Sequence, residues 1–503
     1  MSFVFRSIAA GTALLTFSNA VSAELSAEDV WADWTSYVQS FGYGITGQAN
    51  ATNTGLTIAG VTLTLADPDT PGGAVISMDQ IVMTENADGT VSIDLPTLMP
   101  MEIAIPTETG VADRISMDYR QTGLEIIASG TAEALQYEYS ADNVTLAATG
   151  FEMDGQLLPA DSNQIQVELD TIAGTSSSAA DSLRRYTQNV TVSAVRYTRK
   201  TSDPVSGATS DMTGQWQNVV FDGESALPLR QIEAQNMDAL LAAGLSVAGT
   251  FTYSANASTV ALSTPEETEE VSIVSGSGEF GVALAQDGVA YEVMQRDTTV
   301  QATIPQMPLP LNFDIEETSL NISLPVRRSE TSENFAFGFE FAGFSMADTL
   351  WDMFDPGQQM PRGPATVALD LTGKAKLLFN LLDPTAVAEI GQQDAPAELE
   401  AVNINRLEID LSGANLSGTG AFEFENVAGA TPKPIGSIDL SLVGGNRLLD
   451  RLVASGLLPE DQAMGARMMM GLLAVPGDAP DTLNSKLEIN AEGHVLANGQ
   501  RIQ

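Results

Sequence analysis

Cysteine is absent from this chain and histidine occurs once, as His494. No disulfide can hold the fold, so stability must come from burial. A metal site of the Cys/His type has no ligands. A Ser-His-Asp arrangement would have to use His494, which falls in a C-terminal turn where an exposed imidazole is the plainer reading. Basic residues are scarce too: 22 Lys and Arg stand against 65 Asp and Glu, a formal charge of −43. Nucleic acid and anionic lipid surfaces would both be repelled. Aromatics make up 6% of the chain, too few for the girdles of a membrane-embedded barrel. No Gly-x-Ser-x-Gly elbow, P-loop or Rossmann fingerprint precedes a suitable helix. The residues therefore nominate no catalytic group, no cofactor and no metal.

What is present begins with an export signal. Arg6 precedes an apolar run from Ile8 to Phe17, and Val21-Ser22-Ala23 supplies small residues for cleavage after Ala23. The run is shorter than the roughly 20 residues of a membrane span, and no later stretch is apolar enough to cross one. The expectation is a signal peptide over 1–23 and a soluble mature protein in the periplasm of a Gram-negative bacterium.

The mature chain opens with a helix. Ser26 and Asp29 form a variant capping box, and Val30, Trp34, Tyr37, Val38 and Phe41 make one apolar stripe, so that Trp31 and Trp34 dock the helix on a sheet. From Leu56 to Tyr197 apolar residues alternate with polar ones at the strand period. Gly60 shifts the phase between Ile58 and Val61, the signature of a bulge. Asp88-Gly89 and Asp154-Gly155 mark reversals. The Ser/Ala-rich stretch 174–181 and the polar stretch 201–214 read as long loops. Helical spacing returns through Ile232, Met237, Leu240 and Leu241, closed by Gly244. Strands resume to Leu324, and Phe335, Phe337, Phe339 and Phe341 then place four rings on one face. Ser345 is placed to cap a short helix through Trp351, and a strand at Val367–Leu371 expects its partner in the run beginning at Lys376.

The C-terminal stretch is the most explicit. Strands at Leu407–Leu411, Phe422–Phe424 and Ile438–Leu442 lead to Gly444-Gly445, where the period changes to 3.6. Two helices follow, the first stopped by Gly456 and the second opened by Pro459. Strands at Leu487–Ile489 and Val495 close the chain.

The expected fold is mainly β with a few short helices, a β-rich α+β chain of long antiparallel sheets. Residues 24–230 form an N-terminal helix plus a β-rich half, and 231–503 a β-rich half with a C-terminal helical hairpin. That each half starts near a helix hints at an old duplication. About five helices cannot cover more than twenty amphipathic strands. The remaining apolar faces must meet another sheet, curl on themselves or face a ligand; a long curved sheet with a groove and a pair of sandwiches both satisfy this.

Several blocks carry a resemblance. Trp351-Asp352, Pro356-Gly357 and Met360-Pro361 before Val367–Leu371, then Gly444-Gly445-Asn446, Gly456-Leu457-Leu458-Pro459 and Asn498-Gly499-Gln500, resemble the exported family called domain of unknown function 2125. That likeness is expected over most of the mature chain and brings no activity or catalytic residues with it. The helical pair and final strands are more weakly similar to YdgA-like and AsmA-like envelope proteins. This second resemblance implies a curved sheet with a hydrophobic groove and work in envelope or lipid homeostasis.

Three functions stay open. The leading one is a non-catalytic envelope protein that holds an apolar ligand, a lipid, in a groove, with Phe337, Phe339, Met464, Met468 and Leu472 as its surface. Met464, Met468 and Leu472 recur at i, i+4 and i+8, and thioethers suit an adaptable surface or copper(I), although plain packing of the helix on the sheet also explains the stripe. The second is a structural or protein-interaction role with every apolar face sealed. The third is hydrolysis by paired carboxylates. Glu266, Glu267, Glu269 and Glu270 cluster but lack the ligand spacing of a calcium loop, and read as a solvated run.

Overall fold

The computed structural model describes residues 25–503 apart from 41–42, 67–72, 106–111, 160–161, 204, 230–236, 308, 384–395 and 427–431. The expected signal peptide, the expected boundary at 230/231 and the start of the helix expected from Ile232 lie outside the described residues.

Helix α1 (Ala27–Ser40) begins as its capping box predicts, the Asp29 N–H donating to Ser26 Oγ and the Ser26 N–H to Asp29 Oδ2. Strands β1 (Gly44–Thr52), β2 (Gly55–Ala66), β3 (Gly73–Glu85), β4 (Val91–Asp94), β5 (Leu98–Ile105), β6 (Asp113–Thr122) and β7 (Glu125–Thr131) follow. Next come β8 (Ala134–Met153), β9 (Gln156–Leu157), β10 (Asn163–Ala180), β11 (Leu183–Ser202), β12 (Thr209–Pro228) and α2 (Met237–Ala242). The middle of the chain supplies β13 (Ser246–Tyr253), β14 (Ala255–Ser263), β15 (Thr268–Ser275), β16 (Ser277–Ala285), β17 (Gly288–Thr303), β18 (Leu311–Leu324), β19 (Glu333–Met346) and α3 (Asp348–Phe354). The last part holds β20 (Ala365–Leu377), β21 (Ala397–Leu411), β22 (Ala414–Glu425), β23 (Lys433–Val443), helices α4 (Gly445–Ala454) and α5 (Glu460–Leu473), and the short closing strands β24 (Val475–Pro476), β25 (Thr482–Ile489), β26 (Val495–Ala497) and β27 (Gln500–Arg501).

The fold is mainly β with a few short helices, and every described strand belongs to one antiparallel sheet. Strand takes 66% and helix 12%, so helices can cover only patches of it. One patch lies under α1, where Val30 packs with Leu56, Ile58, Val61, Ile81, Met83, Val91 and Leu135. A second lies under α2, where Leu241 meets Leu227, Leu245 and Val326.

A crease crosses the sheet. Thr171 in β10 stands opposite Asp142 in β8 and Ser193 in β11 at a step where the regular pairing is interrupted. The same interruption continues through Asn218 in β12, Ser254 between β13 and β14, Gly276 between β15 and β16, Asp297 in β17, Glu316 in β18 and Gly343 in β19. Thr171, Asn218, Asp297 and Gly343 all have positive φ, at 43°, 48°, 52° and 68°. At Thr171 this is a costly conformation for a β-branched residue. Each irregularity advances the pleat by one residue, so that Val167 and Leu169 on one side of the line share a face with Ile172 and Gly174 on the other. Gly60 in β2, with φ 59°, does the same nearer the start of the sheet.

The crease also explains why some strands come in collinear pairs. β3 is flanked by β4 and β5, which pair with β7 and β6, and both of those pair with the 20-residue β8. β12 is likewise flanked by β13 and β14, these by β16 and β15, and both of those by β17. The six-strand pairing scheme of β3–β8 is repeated strand for strand in β12–β17.

Four expectations are corrected. Residues 174–180 continue β10 rather than forming a loop, because small side chains are what fits beneath α1: the Ser178 hydroxyl is buried against Asp33. The loop expected over 201–214 shrinks to 203–208, since β11 and β12 stay in register to Ser202 and Thr209, and Asp203 closes the turn by accepting from the Val205 N–H and the Ser206 hydroxyl. Ser345 does not cap α3; it pairs with Asp314 in β18, and Ala347 holds the cap position. Lys376 continues β20 itself, whose partners are β19 and β21.

Aromatic rings cover strand glycines at four places. Tyr139, Tyr197, Tyr253 and Phe335 lie directly opposite Gly174, Gly214, Gly278 and Gly373, and a Cβ on any of these glycines would run into the ring. Glycine weakens a strand, and the ring that lies across it restores the lost contact. Gly278→Val should therefore cost about 1–3 kcal/mol in urea unfolding. Gly281→Ala, whose new Cβ would meet its neighbour at 3.5 Å, should change little.

After α3 the chain turns on Asp355, a fully buried carboxylate that accepts from the N–H groups of Gln359 and Met360 at 3.0 and 2.8 Å. Arg362 then reaches back to Asp348 and Asp352. The Met360 N–H is the main influence holding the Asp355 pKa below its ordinary value. A lowered pKa means stability present above the unfolded carboxyl value near 3.9 and lost as pH falls through the folded one. Asp355→Asn should flatten the acid limb of a stability–pH curve, measured by thermal melting.

Candidate functional site

The apolar face of the sheet can be followed laterally through directly paired residues, which share a face. From Ile126 the row runs through Tyr139, Gly174, Val190, Phe221, Phe251, Phe280, Val293, Leu320, Phe339, Leu369 and Leu407. The adjacent row includes Val282, Tyr291, Ile322, Phe337, Leu371 and Ile404. The other face of the same strands is polar, with Asn189 bonded to Asp222 and Arg406 to Glu340. Phe221, Phe280, Val293 and Phe339 remain 36–45% exposed, so this face is not sealed along the middle of the sheet.

It is most enclosed at the N-terminal end, where a cavity of about 460 Å³ lies between α1 and the sheet. Trp34, Tyr37 and Val38 form one wall; Ile45, Leu63, Ile76, Met78, Leu95, Met99 and Ile126 form the other; Tyr137, Tyr139 and Tyr186 close the side. Ile45 is on β1 and Tyr186 on β11, seven strand steps apart, which would be ~33 Å in a flat sheet, whereas a cavity of this size is only ~10 Å across. The sheet curls around α1.

One polar cluster stands at the cavity wall. The buried Asp33 carboxylate accepts from the Tyr137 hydroxyl at 2.9 Å, the Ser178 hydroxyl at 2.9 Å and Arg184 Nη1 at 2.6 Å. Tyr186 packs edge-on against Tyr37, with ring centroids 4.7 Å apart, and its hydroxyl is buried without a hydrogen-bond partner. Burial, then the neighbouring Asp33 charge, pushes the Tyr137 phenol far above its ordinary pKa, and burial raises Tyr186 and Tyr37 as well. All three are neutral donors at physiological pH. Among the described residues Asp33 is the single carboxylate of the cavity lining, and its three donors occupy it.

Phe337 and Phe339 stand on the apolar rows, Phe339 36% exposed. Met464, Met468 and Leu472 are on α5, which rests on α4 and β25 and buries Ala463 fully, and are 64%, 71% and 56% exposed. Plain packing therefore does not account for the methionine stripe. β19 and β25 are five strand steps apart, ~24 Å if flat, so the two groups of residues stand at different places along the sheet. The Ser485 hydroxyl, paired through Leu440 to the apolar face, donates to the Leu473 carbonyl at 2.6 Å and ties the end of α5 to that face. His494 lies in the turn between β25 and β26, its backbone N–H donating to Asn490 Oδ1. Glu266 and Glu267 sit in the β14–β15 turn and Glu269 and Glu270 in β15; among the described residues no group of three acids or histidines is placed to hold a metal.

The N-terminal cavity was not among the sequence-derived candidates, although α1 carried its signal. Val30, Asp33, Trp34 and Tyr37 occupy i, i+3, i+4 and i+7, so an acid stands inside the buried stripe.

Residues 221–499 match the family described as an uncharacterized protein conserved in bacteria, domain of unknown function 2125. The chain belongs to this family. The match begins in β12, later than the resemblance expected over most of the mature chain, so the family stretch holds α2, the Asp355 turn and the later part of the apolar rows. α1 and its cavity lie before it. No curated protein matches the chain. Among solved structures it is similar to the alcaligin outer membrane receptor FauA of Bordetella pertussis, at 12% identity over 88% of this chain and 75% of that one, with a TM-score of 0.15, too low to equate the folds.

Asp33→Ala leaves Arg184 without its counter-charge and two hydroxyls without an acceptor. Arg184 keeps 22% of its side chain in water, so the loss should fall at the lower end of the range for a broken buried pair, about 3 kcal/mol by chemical denaturation. Asp33→Leu combined with Arg184→Met should recover part of it.

Proposed function

We propose that this member of the family is an exported envelope protein without catalytic activity that holds a lipid-like ligand in the cavity beneath α1. The observation that carries this reading is the cavity itself. It has the volume of a small-molecule site, roughly 300–1,000 Å³, its walls are apolar and aromatic, and its charged cluster is internally neutralised. An apolar ligand would gain burial there at about 25 cal/mol per Å² of area removed from water. The adjacent apolar rows that carry Phe337 and Phe339 offer longer chains a continuation of the same face. The stripe of Met464, Met468 and Leu472 at the far end is a second apolar surface for a ligand or a protein partner. The interaction role draws support from that stripe, whose exposure is what an adaptable contact surface would show.

Native mass spectrometry of protein purified without detergent, followed by organic extraction, tests the reading. The expected result is a discrete added mass that extracts as lipid and is lost in Met78→Trp, which fills the cavity, but kept in Met468→Ser. A clean apo mass that stays unchanged after incubation with lipid vesicles sinks the carrier and leaves the interaction role in front.

A further inference from the structure

The cavity's polar atoms constrain what could bind there. Tyr186 Oη is buried and makes no hydrogen bond, an arrangement that is costly unless something else satisfies it. It stands near both members of the Asp33–Arg184 pair, and the Arg184 guanidinium, a donor only, can act on the phenol oxygen but leaves its O–H proton unused. Arg184 is the cation of this cluster, and Asp33 neutralises it at 2.6 Å. An anionic headgroup placed beside Tyr186 would face the Asp33 carboxylate in a poorly solvated site with no cation left over, and would enter against the field of a chain of charge −43. An uncharged oxygen acceptor at the end of an alkyl chain meets none of these penalties and would satisfy the phenol.

Resting on the carrier reading above, we propose that the cavity selects neutral lipids, with an ester carbonyl or alcohol oxygen accepting from the Tyr186 hydroxyl, over fatty-acid anions and anionic phospholipids. The Asp33 cluster then has a second role besides tethering α1 to β8, β10 and β11. It cancels the one positive charge that would otherwise attract an acid.

The test compares ligands of one chain length. Methyl oleate, oleyl alcohol and oleate are titrated against a fluorescent fatty-chain probe bound to the full chain, at a pH well above the carboxyl pKa so that oleate is ionised. Methyl oleate and oleyl alcohol should displace the probe at concentrations at least about fivefold below that of oleate. Tyr186→Phe should weaken the two neutral ligands about five- to tenfold, as expected for one buried hydrogen bond, and leave oleate unchanged. The same variant should melt no lower than the wild type, since it removes an unsatisfied buried hydroxyl. That distinguishes a lost ligand contact from a damaged fold. Equal or tighter binding of oleate, or neutral-ligand affinity untouched by Tyr186→Phe, overturns the selectivity while leaving the carrier standing. Failure of the probe and of all three ligands to bind overturns the carrier and this inference together.

Discussion

A strand that alternates without interruption can keep only one set of side chains on a given face, and the strands here are up to 20 residues long. The crease is how the sheet manages that length. By advancing the pleat once at nearly the same level in neighbouring strands, it keeps apolar residues on one face along each strand, while strict pairing keeps them there from strand to strand. The cost is local, at Thr171, Asn218 and Asp297, whose backbones are held at positive φ. The gain is collective, because a phase slip confined to one strand would turn its apolar residues to the charged face.

The curl around α1 concentrates this face into a cavity. A helix with a buried acid in its apolar stripe would be destabilised on a purely apolar sheet. Here the strands that curl toward it bring Tyr137, Ser178 and Arg184 to the same carboxylate from β8, β10 and β11. The contact is polar, directional and widely spaced in sequence, and it fixes where α1 sits. The apolar packing of Val30 and the tryptophans supplies the burial beneath it.

Much of the architecture was legible because it is periodic. The capping box at Ser26, the bulge at Gly60, the phenylalanine face of β19 and the change of period at Gly444 are local signals with local causes. What stayed illegible was set by partners far away in sequence. Residues 174–180 look like a loop by composition, and only the helix above them explains why a strand should carry serines there. The strand at Val367–Leu371 could be read in the sequence, but its partner could not, because antiparallel pairing at this distance leaves no compositional mark. Of the nominated ligand surface, Phe337 and Phe339 stand on the apolar face of β19 and the methionines on α5. The cavity was missed because Asp33 was not weighed against the stripe it interrupts.

The repetition of the β3–β8 pairing scheme in β12–β17 bears on how the molecule comes apart. Most of the described strands pair with only one or two others in the sheet, so the sheet is close to a one-dimensional array in which each unit is held by its neighbours. Arrays of that kind lose structure from their ends inward and need not melt as one cooperative unit. One end here is clamped by α1 and its buried acid, whereas the other finishes in strands of two and three residues. Denaturation should therefore be vectorial, beginning at the C-terminal edge and reaching the curled N-terminal end last.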